Sequence, residues 1–300
     1  MIRTALIALA LLLGAAAPAS AAKLTIGIGE QNPIFFEDSR WQRLDRPHVR
    51  YVLAWNAMTS DWQTSEFDSW MEAARRQDAR VLVTFGHARG SRERYLPTRD
   101  EFASQFRALR RRYPDLRTFQ AWNEANHGTQ PTNRRPDRVA RFYDAMKLNC
   151  PKCNVVAPSV LDMGNMLTWI KRFRKEARRK VRVWSIHNHL DANRFRTSGT
   201  KKLLRHTKGK LWFTETGGIA KRWIGPRRRK EYTRSNAARA TKQVFRLAKL
   251  SRRVTRVYFY HWIAPPERRP RWDSGFMGRE GRARPAYRVL KRHLRAARRR

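Results

Sequence analysis

The sequence predicts a (β/α)8 barrel folded as one domain, and three observations lead there. Short β-branched or aromatic runs recur eight times, at residues 24–29, 49–56, 80–87, 116–123, 154–160, 181–187, 211–215 and 254–261. Segments of helical periodicity separate them on a repeat of roughly 33 residues, an alternation that forces parallel strands. An open doubly wound sheet is the alternative, but Gly27-Ile28-Gly29-Glu30-Gln31-Asn32 after the first run lacks the glycine pattern of a phosphate loop. Eight units therefore favour closure into a barrel.

The helices are expected at 66–77, 100–113, 136–148, 166–180, 201–206, 231–250 and 285–299, and only the first crossover lacks one. In 100–113, Phe102, Phe106 and Leu109 recur at offsets of four and three and so share a face, while Asp100 is placed to cap the first turn. The segment 231–250 is periodic through Ala237, Val244, Leu247 and Ala248 and is long enough to cross the outside of a barrel. With 41% hydrophobic residues and 11 tryptophans, the chain can bury a core despite 66 basic side chains.

Residues 1–22 are set apart as a signal peptide. Arg3 supplies a positive start, 4–17 an apolar stretch, and Ala19-Ser20-Ala21-Ala22 the small residues that a signal peptidase accepts. The expected mature chain is 23–300, secreted and without a stable membrane span; a retained anchor, which needs about 20 apolar residues, is the alternative. Export changes the reading of Cys150-Pro151-Lys152-Cys153. In an oxidising compartment and without a second cysteine pair, a local Cys150–Cys153 disulfide closing a tight turn outweighs a redox centre or half a zinc site.

A formal charge of +42 raises the question of nucleic acid. The arginines and lysines are spread over nearly every expected helix, as in Arg172-Phe173-Arg174-Lys175 and Arg227-Arg228-Arg229-Lys230, and no basic-aromatic recognition motif stands out. No nucleic-acid partner is expected. What remains is a solvated basic surface, or affinity for acidic polymers such as uronate-bearing polysaccharides or anionic cell-wall polymers.

Active sites of such barrels lie at the carboxyl ends of the strands. Those ends read Glu30-Gln31, Trp55-Asn56, Gly86-His87, Trp122-Asn123-Glu124-Ala125-Asn126, His187-Asn188-His189, Thr214-Glu215-Thr216-Gly217-Gly218 and Tyr260-His261-Trp262. Here the chain resembles glycoside hydrolase clan A, the retaining barrel glycosidases. The resemblance covers the repeat order of the whole mature chain, and its specific part is Asn123-Glu124 after the fourth strand together with Glu215 ending the seventh.

The resemblance implies a general acid/base at Glu124 and a nucleophile at Glu215, acting by double displacement on a β-linked oligo- or polysaccharide. It also implies that Asn123 hydrogen-bonds the sugar 2-hydroxyl, that Trp262 forms the aromatic platform under the sugar, and that His187 or His189 hydrogen-bonds the nucleophile. Asn56 and His87 join them as strand-end substrate contacts, and Trp55, Trp62, Trp70, Trp223 and Trp272 could build further subsites. Many clan members carry an Arg or His near the mouth after the first few strands, where this second strand ends in Ala54-Trp55-Asn56.

Neither a cofactor nor a metal is expected, because the histidines show no recognisable ligand spacing. Since cations would push both carboxyl pKa values down, the basic side chains are expected on the outward helices and the mouth is expected to be aromatic and arginine-poor. Rival functions are a barrel that binds glycan without turning it over, a transglycosylase, and a surface protein that binds anionic polymers.

Overall fold

A computed structural model describes residues 24–43, 47–223 and 232–298. The expected signal peptide, the basic stretch Arg227–Lys230 and the expected helix start at Glu231 lie outside the described residues. Strand β1 (Thr25–Gly29) is followed by a 3-10 turn (Pro33–Glu37) and the one-turn α1 (Ser39–Gln42). Phe35, Phe36 and Trp41 are buried there, so this first crossover reaches the core with aromatic side chains instead of a long helix.

The next units are β2 (His48–Ala54) with α2 (Asp61–Arg76), β3 (Arg80–Gly86) with α3 (Arg99–Arg112), and β4 (Thr118–Gln120) with α4 (Pro136–Asn149). Helix α3 is capped by Thr98, not by the expected Asp100. The Thr98 side chain accepts from Glu101 N–H while Glu101 reaches back to Thr98 N–H, a capping box that leaves Asp100 in the first turn.

The fifth strand is divided into β5 (Asn154–Val156) and β6 (Ser159–Leu161). Pro158, between them, has no N–H to give to a ladder. The break does not open the barrel. Ala157 N–H donates to Val183 O at 2.9 Å on one side, and Ser159 N–H donates to Trp122 O at 2.9 Å on the other. The circuit continues through α5 (Met166–Glu176), β7 (Val183–His187), the short α6 (His189–Asn193), α7 (Ser198–His206), β8 (Lys210–Thr216), α8 (Arg234–Ala248), β9 (Val254–Tyr260) and α9 (Pro285–Arg298).

All strands pair in parallel in the order β5-β4-β3-β2-β1-β9-β8-β7-β6. The fold is the single-domain (β/α)8 barrel. Its aromatic core lies between sheet and helices, with Phe102 stacked on Phe142 at 4.4 Å and Phe106 edge-on to Phe119 at 5.0 Å. Trp70 of α2 is fully buried against Tyr51 and Phe67, which takes it out of the pool of surface aromatics. Arginines and lysines occupy the solvent side of α5, as at Arg172, Arg174 and Lys175. No described helix is long and apolar enough to cross a membrane.

Cys150 ends α4, and its disulfide to Cys153, with Cα atoms 5.3 Å apart, closes the turn into β5. The turn lies at the opposite end of the barrel from the carboxyl ends of the strands, since it feeds the amino end of β5. A loop this short removes little unfolded-state entropy, about 2 kcal/mol in the chain-entropy model. Replacing both cysteines with alanine should therefore lower the urea midpoint by an amount worth about 1–2 kcal/mol, leaving the m-value unchanged. Intact mass should show two hydrogens gained on reduction of the native chain; a pair already reduced in the purified native protein would remove the disulfide from the account.

Candidate active site

Glu215 owes its aim to an irregularity in β8. Alternation along a strand would send Thr214 and Glu215 to opposite sides. The β7–β8 register instead steps from Ile186↔Phe213 to His187↔Glu215, and the β8–β9 register shifts between Phe213 and Thr216. The resulting bulge lets consecutive side chains both face the barrel axis. Thr214 contacts Gln120 and His187 there, and Glu215 contacts Arg50.

Glu124 sits just past β4 with φ +46°, a left-handed conformation costly for a residue with a Cβ. Its neighbours hold it in place. Glu124 N–H donates to Ser159 Oγ at 2.8 Å, Asn123 N–H to Phe85 O at 2.7 Å and Ala125 N–H to Ser159 O at 2.9 Å. The side chain of Asn126 adds a clamp to β6, exchanging hydrogen bonds with both the N–H and the C=O of Leu161.

Arg50, in the middle of β2, joins these elements. Its side chain is only 1% exposed, and it donates to Glu215 Oε2 at 2.9 Å, to Asn123 Oδ1 at 2.6 Å and to Thr84 Oγ1 at 3.0 Å. It lies four residues before the end of its strand, outside the strand-end positions where functional side chains are expected. Its sequence signal is a lone charge in the run His48-Val49-Arg50-Tyr51-Val52-Leu53, in a fold whose strands are covered on both faces.

From Arg50 a polar layer crosses the barrel interior. Thr84 donates to Gln120 Oε1 at 2.9 Å, and Gln120 Nε2 donates to Thr214 Oγ1 at 3.2 Å. His187 Nε2 lies 3.1 Å from Thr214 Oγ1, and its Nδ1 lies 3.1 Å from Glu124 Oε1. The proton assignment that serves this series has Thr214 O–H donating to Nε2 and Nδ1–H donating to Glu124. Both carboxylates thus belong to one hydrogen-bonded network.

The two carboxylates are held differently. Burial would push the Glu215 pKa up, but His187, His189 and Arg50 together hold it well below the usual carboxylate range. His187 is driven down by burial, against the pull of Glu215 and Glu124. Burial also opposes protonation of His189, yet its contact with Glu215 pushes its pKa up. Glu124 is the more accessible, with its side chain 23% exposed against 14% for Glu215.

His189 starts α6, and its Nε2 is 3.5 Å from Glu215 Oε1. That helix is placed by Asp162, whose carboxylate accepts from Leu190 N–H at 3.1 Å and Asp191 N–H at 2.7 Å. Burial pushes Asp162 up to about 6. Asp191 repeats the device for α7, accepting from Gly199 and Thr200 N–H. Any Cβ at Gly199 would come within 2.6 Å of Asp162 Cβ, so the close approach requires glycine.

These groups line a cavity of about 660 Å³ at the carboxyl ends of the strands, within the size range of small-ligand sites. Glu124, Glu215, Asn123, His87 and His189 line it, and His187 lies directly behind the carboxylates. Asn56 and Trp262 do not line it. Asn56 lies beside the short turn after β2, with Oδ1 buried and unpartnered. Trp262 is fully buried between Trp41, Phe276 and Tyr287, with Nε1 donating to Asp38, so it is a core residue in place of the expected platform.

The aromatic wall is supplied instead by Trp272, whose ring meets His189 edge-on at 4.8 Å. Nor is the mouth arginine-poor, because Arg50, Arg89, Arg194 and Arg222 all line it. Among the described residues, none of these four hydrogen-bonds Glu124.

Glu124, His187, His189 and Glu215 also form a set that could hold a metal ion, with one ligand atom from each lying within 4.8 Å of the others. The sequence spacing gave no hint of this set, because the ligands converge from three strand ends. Its fit to a cation is limited by Arg50, which already sets a guanidinium on Glu215 Oε2, and by the use of both His187 nitrogens within the network.

No protein-family model matches the sequence, and no curated protein matches it at a significant level. Solved structures do match. Xylanase 10B from Thermotoga maritima shares 12% identity at a TM-score of 0.65, over 94% of this chain and 98% of that one. A thermostable mutant of a xylanase from Cellvibrio japonicus gives 12% and 0.66, over 93% and 99%. A fungal β-1,4-galactanase gives 12% and 0.65, over 90% and 100%. At this identity the likeness establishes the barrel fold.

Removing Arg50 would leave Glu215 buried without the permanently charged group that hydrogen-bonds it. Arg50→Met should destabilise the protein by about 3–5 kcal/mol at pH 7, as measured by urea unfolding. Because the depressed pKa of Glu215 contributes stability above its unfolded value and loses it as pH falls, the sign is defined. The gap between variant and native chain should narrow as the pH drops toward 4, where Glu215 of the variant takes up a proton. A gap independent of pH would assign the loss to packing.

Proposed function

We propose that the protein is an exported retaining glycoside hydrolase that acts on β-linked glycans. The observation that carries this reading is the pair Glu124 and Glu215, which bring one carboxylate oxygen each within 4.8 Å of the other at the barrel mouth and are held in unequal environments. Short carboxylate separations, about 5–5.5 Å, accompany direct attack and retention, whereas inverting enzymes leave roughly 6.5–9.5 Å for a water. Support from likeness is of fold: the matching solved structures include xylanases and a β-1,4-galactanase.

In the proposed reaction Glu215, kept ionised by Arg50 and the histidines, attacks the anomeric carbon and forms a glycosyl ester as the leaving-group bond breaks. Glu124 gives its proton to the departing oxygen. Water then enters, Glu124 takes its proton, and the hydroxide adds to the anomeric carbon as the ester bond to Glu215 breaks. His187 orients Glu124 through Oε1, leaving Oε2 for proton transfer. Asn123, fixed by Arg50 through Oδ1, is placed to offer its amide N–H to a sugar hydroxyl. The signal segment 1–22 and the disulfide support export, since disulfides persist in oxidising compartments.

A second reading, metal-assisted hydrolysis, is favoured by the convergence of two histidines and two glutamates. It would make activity fall on dialysis against a chelator and return with a divalent cation. The double-displacement reading expects chelation to leave turnover unchanged.

Glu215→Ala should be inactive on aryl β-glycosides and regain turnover with azide, giving the glycosyl azide of inverted configuration. Glu124→Ala should lose about 10²–10⁴-fold on substrates with poor leaving groups and much less on activated ones, with the covalent intermediate accumulating. Product analysis by NMR and intact mass read both outcomes. Full activity of either variant on a cleaved substrate would overturn the assignment.

A further inference from the structure

We infer that the substrate is an acidic glycan, whose uronate carboxylates are received by Arg194 and Arg222 at the rim of the catalytic cavity. This rests on the glycosidase reading and names its substrate class. The charge of the cavity wall is lopsided. Four arginines line it, and its carboxylates are Glu124, Glu215 and Asp162. Asp162 is committed to the backbone N–H groups that start α6, and Glu215 is committed to Arg50.

The arginines divide in the same way. Arg50 is bound within the network, and Arg89 pairs with Glu66 at 2.7 Å. Arg194 and Arg222 are exposed and have no carboxylate partner among the described residues. Arg222 is moreover pre-oriented. Its guanidinium carbon sits 5.0 Å from the centroid of the Trp272 ring, and that ring in turn leans on His189 beside Glu215. A guanidinium resting on an aromatic face keeps its N–H edge available, and that edge matches the two oxygens of a planar carboxylate.

The arrangement differs from a merely basic surface. On outward helix faces, as at Arg172 and Arg174 of α5, salt screens the guanidinium groups within about 8–10 Å. Here two cations with no carboxylate partner among the described residues share a cavity with the reacting carboxylates, and neither hydrogen-bonds Glu124. A bound uronate would neutralise charge that the protein leaves uncompensated at the mouth. It would do so through direct, short hydrogen bonds that moderate salt weakens less than it weakens long-range attraction.

The test pairs acidic polymers with neutral forms of the same linkage: β-1,4-mannuronan and hyaluronan, each beside its carboxyl-reduced derivative. Reducing ends released by the native chain report turnover, and calorimetric binding to Glu215→Gln reports recognition without turnover. Arg194→Gln and Arg222→Gln are compared with Arg172→Gln, an equal loss of charge on the outer face of α5. The expected result is turnover and binding at least about ten-fold better for an acidic polymer than for its reduced form. That preference should be lost in Arg194→Gln and Arg222→Gln and kept in Arg172→Gln.

Equal turnover of acidic and reduced forms, or a preference that Arg172→Gln diminishes as much as Arg222→Gln, overturns the inference while leaving the glycosidase reading in place. Binding that prefers the acidic polymer and depends on Arg222, with no turnover of any form, supports the recognition and overturns the glycosidase reading. Preferential cleavage of neutral xylan or galactan over both acidic polymers overturns the inference alone.

Discussion

The ion pair between Arg50 and Glu215 is the constraint around which the interior of this barrel is arranged. A guanidinium this deeply buried is tolerable only if its N–H groups are satisfied. Glu215, Asn123 and Thr84 accept from all three of its nitrogens, and they come from β8, the loop after β4, and β3. One side chain therefore ties the second strand to three others and fixes the distance between the two glutamates indirectly, through Asn123 beside Glu124. A carboxylate clamped in this way is a poor proton carrier and a good candidate for attack at carbon.

The opposite requirement falls on Glu124. In the proposed reaction it exchanges a proton, and the structure gives it a histidine partner and no guanidinium hydrogen bond among the described residues. The barrel achieves this with geometry more than with composition: both glutamates are in one cavity, yet Arg50 faces only one of them. The network through Thr84, Gln120, Thr214 and His187 then carries orientation from one to the other without placing a net positive charge at Glu124.

Much of this was legible in the sequence, for physical reasons that can be named. Eight periodic runs and their spacing specify the barrel, because strand and helix periods are local properties. The interrupted fifth strand was readable only as one run, since the effect of Pro158 depends on both neighbouring strands supplying partners. Glu124 and Glu215 were visible because strand ends are where a barrel exposes side chains. Arg50 was missed because it points into the interior from mid-strand, and Trp262 was misplaced because a strand-end tryptophan can turn toward the core, where Asp38 receives its N–H. The role of Asp162 had no sequence signal; it depends on which helix starts beside it.

The bulge at Thr214 has a consequence for comparing this chain with other barrels. At 12% identity, matching of residues rests on superposed backbone, and a strand that carries one additional residue can be aligned either before or after it. The two choices differ by half a pleat, so one matches Glu215 to an axial position and the other matches it to an outward-facing one. Correspondence at this strand is therefore settled by which side chain meets a buried guanidinium, and the ordinal position of a residue along the strand is a misleading guide.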